Sequence, residues 1–191
     1  MIIPIKVILA GEGAVGKTTL RRKYMGQTTG SRYLPTLGAE ISINNFSYES
    51  KGKNYFIKIQ IWDIAGQKTF EKVRPLYYKG SQGIFLVYDM TNANSFINLE
   101  GWISSIAQYI KLGKIPIILI GNKSDIRSQG KEQVSYDQGL ELAKKLTESY
   151  TDGNWKVPFI ETSALRGDNV KKAFEEIAQL TIDINKEGEK N

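Results

Sequence analysis

The sequence predicts a three-layer α/β/α domain with a six-stranded, mostly parallel sheet and one antiparallel edge strand. Three observations lead there. Short, nearly continuous apolar runs, as strands covered on both faces require, alternate with longer segments of helical spacing. Only one pair of runs, residues 41–48 and 55–62, shows half-buried alternation around turn chemistry, Ser50-Lys51-Gly52-Lys53-Asn54. Each segment carrying chemically suggestive residues directly follows a strand, and open α/β sheets bind ligands beyond the carboxyl ends of their strands. At 191 residues, 41% hydrophobic and 24% charged, the chain has the size and composition of one globular domain.

Taken in order, the apolar run Ile2 to Leu9 is the first strand. Gly11-Glu12-Gly13-Ala14-Val15-Gly16-Lys17-Thr18 follows and matches the P-loop pattern G-x-x-x-x-G-K-[ST], ahead of a helix from Thr18 to Met25. Strand, glycine loop and helix together give a P-loop NTPase fold. Gly26 to Gly38 reads as a loop, and the hairpin comes next, with Ile57, Ile59 and Ile61 on one face. Asp63-Ile64-Ala65-Gly66-Gln67 closes the hairpin, and a charged helical stretch covers Lys68 to Lys79. Gly83 to Tyr88 is a buried strand. One helix is expected over Ser95 to Leu112, with Phe96, Leu99, Trp102, Ile103, Ile106 and Ile110 as its apolar stripe. Strand Ile115 to Ile120 leads to Asn122-Lys123-Ser124-Asp125, then an amphipathic helix spans Gln133 to Tyr150. A short strand, Val157 to Glu161, leads to Thr162-Ser163-Ala164. Asp168 is placed to cap a last helix that turns Val170, Phe174, Ile177 and Leu180 inward. Asn185 to Asn191 reads as a frayed, charged tail.

The loop motif implies a nucleoside triphosphate. Amide N–H groups from Gly13 to Thr18 can converge on phosphate oxygens, aided by the positive end of the following helix. Lys17 brings an ammonium to the terminal phosphates, and the Thr18 hydroxyl can ligate Mg²⁺. Asp63 supplies a carboxylate at the metal, Gly66 an amide for the γ-phosphate, and Gln67 a side chain able to orient water. Thr36 can close on Mg²⁺ when a γ-phosphate is present. The Asp125 carboxylate, an acceptor only, suits the two adjacent donors of guanine and not adenine. Asn122 can contact the base or tie its loop to the P-loop, and the Lys123 stem can lie over the ring.

Composition narrows the field further. No apolar run approaches the length of a transmembrane helix. The chain has no cysteine, which removes disulfides, thiol metal sites and cysteine lipid anchors. The net charge is +6, but the basic pairs Arg21-Arg22, Lys144-Lys145 and Lys171-Lys172 are scattered and read as solvated helix faces. No nucleic-acid partner is expected.

These motifs in this order resemble a Ras-type small GTPase, and within that superfamily the Rab branch. Lys58-Ile59-Gln60-Ile61-Trp62-Asp63, Tyr77-Tyr78-Lys79-Gly80, Leu86-Val87-Tyr88-Asp89-Met90-Thr91, Asn94-Ser95-Phe96 and Glu161-Thr162-Ser163-Ala164 carry the likeness. It covers residues 1–184 as a G domain and leaves 185–191 as a short tail. The resemblance implies a slow GTPase switch that uses Mg²⁺ and acts in membrane traffic or a related pathway. Ala14 to Thr19 would cradle the phosphates of GTP or GDP. Thr18 and Thr36 would ligate Mg²⁺, with Asp63 in its outer shell. Asn122, Lys123 and Asp125 would hold guanine, helped by the backbone at Ser163 and Ala164. Segments 30–41 and 63–80 would be switches that meet effector, exchange-factor and GTPase-activating proteins, with Ile41, Trp62 and Tyr77 as an apolar patch. Gly13 leaves room for an arginine supplied by a partner; no arginine of the chain, the nearby Arg32 included, is an obvious substitute.

The chain also departs from that pattern. Thr29 stands where the family has an aromatic over guanine, which leaves Tyr33 or Tyr24 to cover the ring. Leu165 replaces the lysine of an S-A-K triplet. The segments at Ser50 to Asn54 and Thr151 to Trp155 look a few residues longer than usual. With no cysteine at its end, the chain is expected to be cytoplasmic and to reach membranes by indirect recruitment alone. Two alternatives remain: a binding-only interaction module, which would be expected to lose Gln67, and a nucleotide kinase, which would not need Asn122 to Asp125.

Overall fold

A computed structural model describes residues 2–28, 35–50, 52–129, 131, 133–151, 153 and 155–188. Six strands form one sheet: β1 (Ile2–Ala10), β2 (Ala39–Ser50), β3 (Lys53–Ile64), β4 (Gly83–Asp89), β5 (Ile117–Asn122) and β6 (Phe159–Thr162). Their order is β2-β3-β1-β4-β5-β6. Every pairing is parallel except β2 with β3. β1 lies between β3 and β4, so the strand order reverses at β1, and the crevice beyond its carboxyl end is where such sheets bind ligands.

The helices are α1 (Lys17–Tyr24), α2 (Arg74–Tyr78), α3 (Ala93–Ile97), α4 (Leu99–Ala107), α5 (Tyr136–Tyr150) and α6 (Val170–Gly188). Strand alternation splits the core in two. Ile5, Val7 and Leu9 of β1 face one side with Ile57, Ile59 and Ile61 of β3, under Leu20 of α1 and Phe174 and Ile177 of α6. Ile8 of β1 and Ile84, Leu86 and Tyr88 of β4 face the other, under Trp102, Ile103 and Ile106 of α4 and Ala143 of α5.

Several boundaries differ from expectation for local reasons. The stretch from Lys68 to Lys79 is not one helix: a 3₁₀ turn at Lys68–Phe70 precedes α2, which carries a proline in its first turn. The helix expected over Ser95 to Leu112 divides at Asn98 into α3 and α4 and ends at Ala107, with a 3₁₀ turn at Leu112–Lys114. The Asn92 side chain caps α3 by accepting from the Asn94 N–H at 3.1 Å. Ser135 and Gln138 form a capping box that starts α5 at Tyr136. The hairpin's length lies in its strands, since Ser50 already pairs with Lys53. β6 begins at Phe159, two residues later than expected. Asp168 does not cap α6; its carbonyl accepts from the Ser163 N–H, and Asn169 turns into α6 with φ 56°. The helix runs on through Asn185 to Gly188, where a frayed tail was expected.

Phe174 locks α6 to the sheet. Its ring stacks on Tyr24 at 4.0 Å and meets Phe85 edge-on at 4.9 Å. Phe174→Ala is expected to lower unfolding free energy by about 3–5 kcal/mol, read from urea denaturation monitored by circular dichroism.

Candidate functional site

The P-loop wraps the end of β1 with Gly11 at φ 145°, Ala14 at φ 64° and Gly16 at φ 101°. Two of these turns admit no side chain. A Cβ on Gly11 would lie 2.1 Å from the Val87 carbonyl oxygen, and one on Gly16 would lie 2.2 Å from Asn122 Nδ2. The loop delivers α1 with Gly16 at its N-terminus, Thr18 and Thr19 half-buried in its first turn, and Val15 anchored in the core.

Lys17 is buried and donates to the carbonyls of Gly11 and Glu12, both at 2.6 Å. Burial lowers its ammonium pKa to about 8, opposed by the Asp63 carboxylate and reinforced by the Arg74 guanidinium. Asp63 ends β3 with no solvent exposure. Desolvation raises its carboxyl above the ordinary value, against the Thr18 hydrogen bond and the charges of Lys17 and Arg21.

Three oxygens converge beside Lys17. Thr18 Oγ1 donates to Asp63 Oδ2 at 2.5 Å, Thr36 Oγ1 lies 2.9 Å from Thr18 Oγ1, and Thr36 Oγ1 donates to Asp63 Oδ2 at 3.3 Å. Mg²⁺ holds oxygens at about 2.1 Å in an octahedron, so adjacent ligands lie about 3 Å apart. The Thr18–Thr36 spacing fits that edge. Asp63 Oδ1 is buried without a hydrogen-bond partner, as a carboxylate awaiting a donor from a metal-bound water would be. Among the described residues no three His, Cys, Asp or Glu side chains gather, so a metal here would draw on hydroxyls and phosphate oxygens.

Asn122 joins three loops. Its amide donates to the Val15 carbonyl at 2.9 Å, and its oxygen accepts from Thr162 Oγ1 and the Ala164 N–H, both at 3.0 Å. Of the two roles open to Asn122, the structure shows the tie. The Ser163 N–H goes to Asp168 and the Ala164 N–H to Asn122, so both amides expected to help at the base are donated within the protein. Asp125 Oδ1 accepts from Ser163 Oγ at 2.6 Å, while Arg166 grips the Asp125 carbonyl at 3.2 Å. Lys123, at φ 72°, reaches Asp89 Oδ2 at 2.6 Å, and Thr91 holds the other Asp89 oxygen. Asp89 thus orients Lys123, a role its place at the end of β4 did not announce. Leu165 is exposed.

The segment after Asp63 presses on the P-loop: a Cβ on Gly66 would lie 2.3 Å from the Glu12 carbonyl carbon and the Gly13 nitrogen. Arg74, absent from the sequence-based site, holds that segment. It donates to the carbonyls of Ala65, Gly66 and Gln67 at 3.2, 3.0 and 2.9 Å. Its guanidinium lies 3.9 Å from the Trp102 ring centroid, and Trp102 Nε1 donates to Glu12 Oε1 at 3.2 Å. Gln67 Oε1 is buried without a hydrogen-bond partner.

Other expectations need correction. Tyr24 does not cover a base, because it stacks on Phe174, and burial pushes its phenol up to about 12. Thr29, Arg32 and Tyr33 lie outside the described residues. Arg21, read as part of a solvated face, is buried, whereas Lys144, Lys145, Lys171 and Lys172 are exposed. Ile41 is half-exposed, and Trp62 and Tyr77 are half-buried with ring centroids 6.1 Å apart.

The Ras family profile matches residues 6–183. The chain belongs to the Ras family. It is 38% identical over 176 residues to the Ras-related protein SEC4 of Candida albicans, covering 92% of this chain and 76% of that one. It is 36% identical over 174 residues to the Ras-related protein RabC of Dictyostelium discoideum, covering 91% and 82%. It is 37% identical over 169 residues to the GTP-binding protein ypt1 of Schizosaccharomyces pombe, covering 88% and 75%. Within the family it is Rab-like, a guanine-nucleotide switch that hydrolyses GTP to GDP. Neither the binding-only module nor the kinase is favoured.

Arg74→Ala is expected to speed amide hydrogen exchange across residues 65–70 by about tenfold or more, leaving β5 unchanged, as measured by mass spectrometry.

Proposed function

We propose that this Ras-family GTPase works in membrane traffic as a Mg²⁺-dependent switch, with the following residues in named roles. The convergence of Thr18, Thr36 and Asp63 beside Lys17 carries the reading. The amides of Gly13 to Thr19 and the Lys17 ammonium hold the phosphates of GTP. Thr18 and Thr36 would hold Mg²⁺, with the Asp63 carboxylate placed to accept from its water shell; the ion would supply positive charge against the phosphates. The Gly66 amide faces the γ-phosphate, and the Gln67 side chain orients the attacking water. That water adds to the γ-phosphorus as the bond to the bridging oxygen breaks, and its proton ends on the phosphate products. Asp125, fixed by Ser163, reads the two guanine donors, and Lys123, fixed by Asp89, flanks the base with Leu165 at the rim.

Thr36 and Gly66 give the switch its two states. Both reach the γ-phosphate end of the site from segments 30–41 and 63–80, so loss of that phosphate releases both. Effector, exchange-factor and GTPase-activating proteins dock on those segments, the first across Ile41, Trp62 and Tyr77. Among the described residues no helix is long and apolar enough to cross a membrane, and we place the protein peripherally, recruited by a partner.

Phosphate-release assays with Mg²⁺ are expected to show GTP turnover on the order of 10⁻⁴ s⁻¹ and no ATP turnover. Gln67→Leu is expected to slow it by about tenfold or more, and Asp125→Asn to erase the guanine preference. Unchanged turnover in Gln67→Leu would sink the role given to that residue.

A further inference from the structure

One buried cation is unaccounted for by the site as described. Arg21, on the second turn of α1, is 2% exposed. Its Nη1 donates to Ser42 Oγ at 2.5 Å, and its Nη2 lies 2.7 Å from Glu40 Oε2, both on β2 just after Thr36. Its Nε points toward the metal-site carboxylate, 4.0 Å from Asp63 Oδ2, and has no hydrogen-bond partner. A guanidinium is a permanent cation and is seldom buried without a matching charge. Glu40, its direct partner, is 49% exposed and so shielded by water, which leaves much of the Arg21 charge directed at Asp63.

We propose that Arg21 is a positioning residue that weakens the hold of the site on Mg²⁺ and so speeds nucleotide exchange; this rests on the Mg²⁺ role given above to Thr18, Thr36 and Asp63. Two physical effects act in the same direction. A cation beside Asp63 satisfies part of the carboxylate's demand for positive charge, and it repels a dication at the same site. Arg21 also fastens the start of β2 to α1, so Thr36 hangs from a strand that stays anchored after the metal leaves. The site can then lose Mg²⁺ without leaving Asp63 as an uncompensated buried charge, which favours release.

The test is release of N-methylanthraniloyl-GDP from the whole protein, chased with excess GDP across buffered free Mg²⁺. The readout is the Mg²⁺ concentration that half-maximally slows release. Arg21→Gln keeps a donor for Ser42 or Glu40 and loses the charge; Arg21→Lys keeps the charge and loses the fork. The proposal expects Arg21→Gln to lower the half-maximal Mg²⁺ by about tenfold, and Arg21→Lys to stay within about threefold of the parent. An unchanged or higher requirement in Arg21→Gln overturns it, as does an equal shift in both variants, which marks a purely structural role. If Arg21→Gln does not fold, Arg21→Met decides: it keeps an unbranched stem for packing and loses the charge, so it must lower the Mg²⁺ requirement, and no fall overturns the proposal. If release from the parent protein ignores Mg²⁺ altogether, the metal reading itself fails, whatever the variants do.

Discussion

Asp63 carries the constraint on which the site depends. A carboxylate with no solvent exposure is stable only among groups that compensate its charge. Here they come from three directions: the Thr18 hydroxyl and the Lys17 ammonium from the P-loop, Thr36 from the segment before β2, and Arg21 from the flank of α1. Lys17, Thr18 and Arg21 belong to α1, Thr36 to the segment before β2 and Asp63 to β3, so satisfying one charge brings three pieces of chain together. The same arrangement leaves Asp63 Oδ1 and Arg21 Nε without hydrogen-bond partners, which concentrates unmet polar demand where phosphate and metal would bind.

The sheet makes this geometry possible. Parallel pairing points the carboxyl ends of β1, β4, β5 and β6 to one edge, so the P-loop, Asp89, Asn122 and Ser163 arrive together. Asn122 then converts proximity into registry, since its amide bonds to the loops after β1 and β6 at once. Gly16 is the counterpart: only a residue without a Cβ leaves room for that amide. On the opposite flank, Arg74 restrains the segment after Asp63 through backbone carbonyls and a ring on α4, independently of Thr18, Thr36 and Asp63.

Much of this was legible in the sequence, and the parts that were not share a cause. The six strands, the antiparallel edge and the meeting of motifs followed from apolar runs and from the rule that ligands sit beyond strand ends, whereas the strand order did not. Loop geometry was legible because Gly11 and Gly16 turn the chain at positive φ and Lys17 bonds to Gly11 and Glu12 within its own motif. Arg21 and Arg74 were missed because their roles depend on partners distant in sequence: Glu40 and Asp63 for one, Trp102 for the other. A basic pair on a helix looks solvated until the helix is known to face β2. Tyr24 was misplaced for the same reason, its stacking partner Phe174 being 150 positions later in the chain. The helix after β4 was drawn too long because its apolar stripe runs unbroken across Asn98, where the axis divides.

The central claim is that one phosphate governs two segments through Thr36 and Gly66. Hydrogen exchange by mass spectrometry, comparing protein loaded with GDP and with a non-hydrolysable GTP analogue in Mg²⁺, tests it most directly. The account expects residues 35–41 and 64–72 to gain protection together with the GTP analogue, while β1, β4 and β5 stay unchanged. Equal protection of both segments in the two states would contradict it.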